Sequence, residues 1–394
     1  MSHQNCETVP TLGLYLHIPF CRSKCDYCDF YSLAGREGRM AEYQRALLTH
    51  IKRLAPLAQG YRVDTVYFGG GTPSFYGAER LVELLEEIRG GFALAPDAEI
   101  TLEGNPDSVD EESLSRLRRG GFNRLSMGMQ SGCQAELTAI HRPHTAGQTD
   151  RAVEAARQAG FENLSLDLIY GLPGQTLESW EQTVEHALSL KPDHLSCYGL
   201  KVEEGTPLAK RVAEGELLPD DDMQADLYLW TVERLERGGY AQYEISNFAP
   251  TGYESRHNLK YWNTQPYMGF GPGAHSDFGG RRYSHIRDLD GYIRQVLAGE
   301  EPVDEEVVIS RQERGAEYVM LRMRTAHGME EGEFTACTGM DFAPLKRELE
   351  EYERRGLAVQ NGTRWRFTPE GFLLSNLLIG RLLEAGGGFV EKEG

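Results

Sequence analysis

The chain has 394 residues, enough to bury a full core and to form two domains, and it carries a formal net charge of −19. That charge argues against a nucleic-acid surface, which needs a basic stripe, and no apolar run approaches the length of a membrane span. The short basic runs Arg116 to Arg119 and Arg322 to Arg324 read as solvated helix faces. Cys6, Cys133, Cys197 and Cys337 are scattered and give no disulfide framework, so a reducing, cytoplasmic compartment is expected.

Met1 to Pro10 is polar and gives no signal-peptide pattern. A first strand is predicted over Leu12–Ile18, and Cys21, Cys25 and Cys28 follow it with the spacing C-x3-C-x2-C. Three thiolates can hold three irons of a 4Fe-4S cubane and leave the fourth iron open to a substrate or cofactor. Electron-transfer clusters are closed by four cysteines. A zinc site with His17 as fourth ligand is the alternative, and buried structural thiols are another. Asp29 rather than His follows Cys28, which disfavours c-type haem attachment.

Helices are predicted over Met40–Leu57, Ala78–Ile88, Glu111–Arg119, Gln148–Ala159 and Leu177–Leu190, each ending near Gly or Pro. Strands are predicted between them at Val63–Phe68, Glu99–Glu103, Arg124–Met129, Leu164–Ile169 and His194–Tyr198. Repeated strand-then-helix units imply an α/β fold with a parallel sheet. Six units fit an open, partial barrel, with a doubly wound sheet as the competing topology. The barrel is favoured because several strands carry a polar or glycine feature at the carboxyl end. Gly69-Gly70-Gly71-Thr72-Pro73 follows the second strand, where glycines admit close backbone approach to a ligand; Gly-Lys-Ser/Thr is missing, so it is not a P-loop. Glu103 ends the third strand, Gln130 the fourth, and Arg142 lies in the loop His141-Arg-Pro-His144. Asp167 sits in the apolar run Leu164 to Tyr170, where a carboxylate needs a partner such as a ribose diol or Arg142. Together these groups suit a small zwitterionic nucleoside, with Glu103 for an ammonium, Arg142 for a carboxylate and Asp167 for a ribose. Further on, His257-Asn-Leu-Lys-Tyr261-Trp262 and Gly269-Phe-Gly-Pro-Gly273-Ala-His275 could line a pocket for a flat ligand, or form an ordinary aromatic patch.

After about Glu300 the pattern changes. Helices near Arg311–Arg324, Glu330–Thr338 and Leu345–Arg355 precede a hairpin, Leu357–Gln360 and Trp365–Phe367, turning at Asn361-Gly362. A last helix, Pro369–Leu383, has Thr368 as N-cap. The expected division is 1–300, 301–385 as a mostly helical, winged-helix-like domain, and a flexible tail over 386–394.

In these motifs the chain resembles the radical S-adenosylmethionine (SAM) superfamily, and within it the coproporphyrinogen III dehydrogenase group. The motifs are Tyr15-Leu-His-Ile-Pro-Phe-Cys21, the Cys triad, the Gly-Gly-Gly-Thr-Pro turn, Ser126-Met-Gly-Met-Gln-Ser131, Asp167-Leu-Ile-Tyr-Gly-Leu-Pro173 and Glu204-Gly-Thr-Pro207. The resemblance runs from about Leu12 to Leu383. It implies a partial (β/α)6 barrel with a C-terminal helical domain, and cluster ligation by Cys21, Cys25 and Cys28. It further implies that Tyr15, Gly70, Gly71, Thr72, Glu103, Gln130, Arg142 and Asp167 line SAM sites, the last three serving either of two such molecules. The dehydrogenase has one more Cys two positions after the third; Phe30 stands there. His257-Asn-x-x-Tyr261-Trp262 is similar to the signature of HemW-type haem chaperones. That resemblance implies haem binding, with His257 the contact candidate, delivery to respiratory haem proteins, and peripheral contact with membranes at most. The dehydrogenase reaction and a radical methyl transfer to a tetrapyrrole are the alternatives.

Overall fold

The computed structural model describes residues 9–386, which group into two compact units. Cys6 and most of the expected tail lie outside the described residues. The first unit takes in the chain up to Gly128, Gly147–Leu164 and Gln265–Val307; the second takes in Met129–Ala146, Ser165–Thr264 and the chain from Val308.

In the first unit the strand Thr11–Ile18 is central. Tyr267–Phe270 pairs with one side of it and Arg62–Gly70 with the other, both parallel. Leu12, Leu14, Leu16 and Ile18 on one face, and Gly13 and His17 on the other, are buried, as expected of a parallel strand covered on both faces. Leu94–Gly104 pairs parallel with Arg62–Gly70, and Arg124 onward pairs parallel with Leu94–Gly104. Beyond Tyr267–Phe270 the sheet turns antiparallel through His275–Phe278 and Arg281–His285. Tyr267–Phe270 and the start of His275–Phe278 fall in the glycine-rich stretch from Gly269 to His275 that sequence reading treated as pocket lining. Their short length and glycines hide the period-2 pattern.

Helices start and stop where local chemistry dictates. Met40–Leu54 buries Met40, Tyr43, Leu47, Ile51 and Leu54, the i, i+3/i+4 stripe of a core-facing helix. It ends three residues before the predicted Leu57, because Pro56 belongs to a short 3-10 turn, Ala55–Ala58. Glu111–Gly120 opens with a capping box between Asp110 and Ser113 and closes on Gly121 at φ +103°.

In the second unit Asn163–Tyr170 pairs parallel with His194–Gly199, registering Asp167 against Ser196. Asn247–Ala249 then pairs antiparallel with His194–Gly199 on one side and with Ala241–Glu244 on the other. The helix Leu177–Ser189 has its own capping box, Thr176 with Ser179. Towards the C-terminus, helices Arg311–Arg322, Glu331–Thr338 and Ala343–Arg354 pack with a three-stranded antiparallel sheet of Met329–Glu330, Arg364–Phe367 and Ala358–Asn361. This is the winged-helix-like arrangement. Asn361 pairs with Arg364, so the hairpin loop is Gly362-Thr363, one residue later than predicted, and Gly362 takes the positive φ. The last helix is broken at Leu374 into Pro369–Leu373 and Ser375–Ala385. Arg322 corrects the solvated-face reading. Its side chain is mostly buried, lies over the Tyr318 ring and donates to Asn263. No helix among the described residues is long and apolar enough to cross a membrane.

Candidate functional site

The cysteine loop leaves the carboxyl end of the central strand. It closes on itself where Phe20 and Cys21 pair parallel with Leu33 and Ala34, and Cys28 N–H donates to the Cys25 carbonyl at 3.1 Å. Cys21 and Cys25 are buried, Cys28 is half-buried, and all three are free thiols. Burial raises the thiol pKa of Cys21 and Cys28, so a proton must be displaced by a cation for these sulfurs to act as thiolates. Two hydroxyls face the sulfurs: Thr72 Oγ1 donates to Cys21 Sγ at 3.3 Å, and Ser32 Oγ lies 3.9 Å from Cys28 Sγ. Asn105 Nδ2 in turn donates to Thr72 Oγ1 at 3.4 Å.

His17 is not poised as a fourth zinc ligand. Its Nε2–H donates to the Tyr31 carbonyl at 2.8 Å, which leaves Nδ1 to accept from the Tyr15 hydroxyl at 3.1 Å. Burial lowers its pKa to about 4, so the neutral ring ties the start of the cysteine loop to its return. The residue acts as a brace.

The glycine turn is pressed against this brace. Gly71 N–H donates to the Ile18 carbonyl at 2.9 Å and Thr72 N–H to the Phe20 carbonyl at 2.8 Å. Gly70 has φ +107°, and a Cβ there would stand 2.5 Å from the His17 ring. A Cβ at Gly71 would meet the Ile18 and Phe20 carbonyls within 3 Å. These positions therefore demand glycine for close backbone approach. Glu103 completes the group: Oε1 accepts from Tyr67 Oη at 2.7 Å and Oε2 from Gly70 N–H at 3.1 Å. Burial, with the Glu103 charge second, pushes the Tyr15 phenol far up, so it stays a donor. Tyr15, Gly70, Gly71, Thr72, Glu103 and the three cysteines thus form one contiguous constellation inside the first unit. The donor set, with three thiols, sulfur-facing hydroxyls and a fixed carboxylate beside a glycine cradle, fits an iron–sulfur cluster carrying an aminoacyl ligand.

Gln130, Arg142, Asp167 and His257 belong to the second unit. Gln130 is buried and has φ +62°, a left-handed conformation that a side-chain-bearing residue rarely holds without cause. Arg142 follows His141, also left-handed at φ +52°, and its N–H caps the Leu137 carbonyl. Asp167 accepts from Ser165 Oγ at 3.4 Å. His257 is buried on the helix Arg256–Trp262, and its Nε2 meets the Tyr261 hydroxyl at 2.8 Å with the two rings edge to face.

Sequence reading missed several buried polar groups. Glu136 accepts from Ser131, Gln175 and Ser179, which fixes the chain after Gln130. Glu244 is buried at the end of Ala241–Glu244, and burial raises its pKa to about 7. His50 and His285 pack together with Tyr292 behind the central strand. Each is an isolated polar residue in sequence, and no spacing announces it.

Residues 15–187 match the radical SAM superfamily and residues 309–374 match the HemN C-terminal domain. A solved structure of Escherichia coli coproporphyrinogen III oxidase (HemN), described as a radical SAM enzyme, superposes with a TM-score of 0.83 at 25% identity, covering 95% of this chain and 90% of that one. Fold and site therefore define an α/β radical SAM protein with a HemN-type C-terminal domain, a class that implies a 4Fe-4S cluster and S-adenosylmethionine. The chain is also 38% identical to the heme chaperone HemW of Mycobacterium tuberculosis, covering 94% of each, and 36% identical to that of Bacillus subtilis, covering 94% of this chain and 98% of the relative. The chain belongs to the HemW family.

Proposed function

We propose that this protein binds haem and delivers it to respiratory haem proteins from a reducing compartment, while keeping a cluster and S-adenosylmethionine. The observation that carries this reading is the similarity to proteins named heme chaperone HemW along nearly the whole chain. Phe30 supports it. This residue stands where the dehydrogenase has its extra cysteine, and it is 65% exposed beside the cysteine loop.

Cys21, Cys25 and Cys28 would hold the cluster, and when bound it supplies an open iron and an electron for S-adenosylmethionine. Thr72, which donates to Cys21 Sγ, would steady that cluster ligand, and Glu103, already oriented by Tyr67 and Gly70, would receive the ammonium end of the cofactor. Within the second unit, Asp167 would take a ribose diol of S-adenosylmethionine, with Gln130 and Arg142 as further candidate contacts. His257 contacts haem, and Tyr261 must yield its hydrogen bond if Nε2 is to ligate iron.

The test is a haem titration of anaerobically reconstituted protein, wild type against His257→Ala. Stoichiometric binding with a Soret shift that the variant loses supports the reading. Catalytic conversion of coproporphyrinogen III to protoporphyrinogen IX would replace it with the oxidase reaction.

A further inference from the structure

One chain of hydrogen bonds in the second unit links the Asp167 carboxylate to the helix that carries His257. Ser165 Oγ donates to Asp167 Oδ1 at 3.4 Å. Ser165 Oγ also lies 2.7 Å from His194 Nδ1, and since its proton points to the carboxylate, it accepts from Nδ1–H. With that proton on Nδ1, Nε2 accepts from the Tyr243 hydroxyl at 2.8 Å. Tyr243 Oη in turn accepts the Ser255 N–H at 3.3 Å. Ser255 is the N-cap of Arg256–Trp262, its Oγ accepting from Asn258 N–H.

Every donor in this series points towards Asp167. Such chains polarise cooperatively, and here the terminal acceptor is a charge. Ser165, His194 and Ser255 are all buried, so water does not screen the series at those points. The residues come from separate elements, Asn163–Tyr170, His194–Gly199, Ala241–Glu244 and the cap of Arg256–Trp262. The backbone beside Tyr243 is also pinned, its carbonyl accepting from Ala326 N–H and the neighbouring Ile245 N–H donating to Arg324.

We infer that His194 and Tyr243 are positioning residues that couple occupancy of Asp167 to the set of the His257 helix. The inference rests on the reading that Asp167 takes a vicinal diol and His257 contacts haem. A diol donating to Asp167 competes with Ser165 for the carboxylate charge. The polarisation then weakens along the series, and the Ser255 N–H is held less firmly. The cap of the His257 helix loosens when the diol-bearing cofactor is bound.

The experiment uses the full chain with its cluster reconstituted, with and without S-adenosylmethionine. Two readouts are taken: hydrogen exchange over 255–259, and haem affinity from the Soret band. In the wild type, the cofactor speeds exchange at Ser255 and shifts the haem Kd by about fivefold, the low end of usual coupling between sites. In Ser165→Ala, His194→Phe and Tyr243→Phe the series is already cut, so haem alone binds with the affinity, and Ser255 exchanges at the rate, that the wild type shows with the cofactor present, and the cofactor adds no further change. A merely structural role for His194 would weaken haem binding equally with and without the cofactor. Unchanged exchange in the wild type, or coupling that survives all three cuts, overturns the inference. Failure of the underlying reading is seen separately, as wild-type protein that binds no haem or as His257→Ala that binds it normally.

Discussion

Gly70→Ala tests how the cluster site is built. The added Cβ must adopt φ +107° and stands 2.5 Å from His17 Cε1 and Nδ1. The backbone term alone costs about 1–3 kcal/mol. The ring cannot swing away freely, because it bonds the Tyr31 carbonyl on one side and Tyr15 on the other. Displacing it forfeits one or both bonds, at about 1 kcal/mol each, for a total of roughly 2–5 kcal/mol. The loss falls on the tie that closes the cysteine loop. Gly60→Ala is the matched control: φ is +89°, but no atom lies within 4 Å of its Cβ, so it carries only the same backbone term, about 1–3 kcal/mol. The assay is iron and sulfide content after anaerobic reconstitution, with chemical denaturation of both variants. Gly60→Ala should assemble a full cluster, and Gly70→Ala should be less stable and assemble little. If Gly70→Ala matched the control in both, the brace argument would be wrong.

Three further outcomes follow from the same structure. Glu244 titrates near 7 in the fold against an ordinary 4.5. The unfolded chain gives up that proton first, so the contribution of Glu244 to wild-type stability falls by about 3 kcal/mol as pH rises from 4.5 to 7. Glu244→Gln does not titrate. Its stability relative to wild type should climb by that amount over the same window, from a fixed offset for the one donor among Ser246 N–H and Asn247 Nδ2 that Gln cannot satisfy. Denaturation midpoints across pH measure it, and a flat difference would contradict the burial argument. Tyr261→Phe removes the hydroxyl that meets His257 Nε2 and should tighten haem binding roughly fivefold, about 1 kcal/mol, in a Soret titration; weaker binding would make the hydroxyl a haem contact instead. Thr72→Val removes the hydroxyl facing Cys21 Sγ and should lower the cluster reduction potential without loss of iron. An unchanged potential in a redox titration would show that this hydrogen bond does not reach the cluster.

The site was legible wherever its chemistry is local in sequence. The Cys21-Cys25-Cys28 spacing, the glycine turn and Glu103 at a strand end all announce themselves within a few residues. The α/β class followed from strand–helix alternation, which depends only on nearest neighbours. What was illegible depends on tertiary contact. His17 read as a spare ligand because nothing nearby shows that Tyr31 and Tyr15 occupy both its nitrogens. Arg322 read as solvated because Asn263, 59 residues away, meets it only in the fold. Tyr267–Phe270 escaped as a strand because its glycine is set by packing on the sheet, where the Gly269 N–H finds Ser276 Oγ. The polar series from Asp167 to Ser255 joins four elements across 90 residues of sequence, and none of its members forms a motif with the next.

The most direct measurement takes one anaerobically reconstituted sample through two assays, a haem titration followed by Soret absorbance, and supply of coproporphyrinogen III with S-adenosylmethionine and reductant. Stoichiometric haem binding without protoporphyrinogen IX is the expected result. Sustained decarboxylation would contradict the chaperone reading and show that Phe30 does not mark the loss of the oxidase reaction.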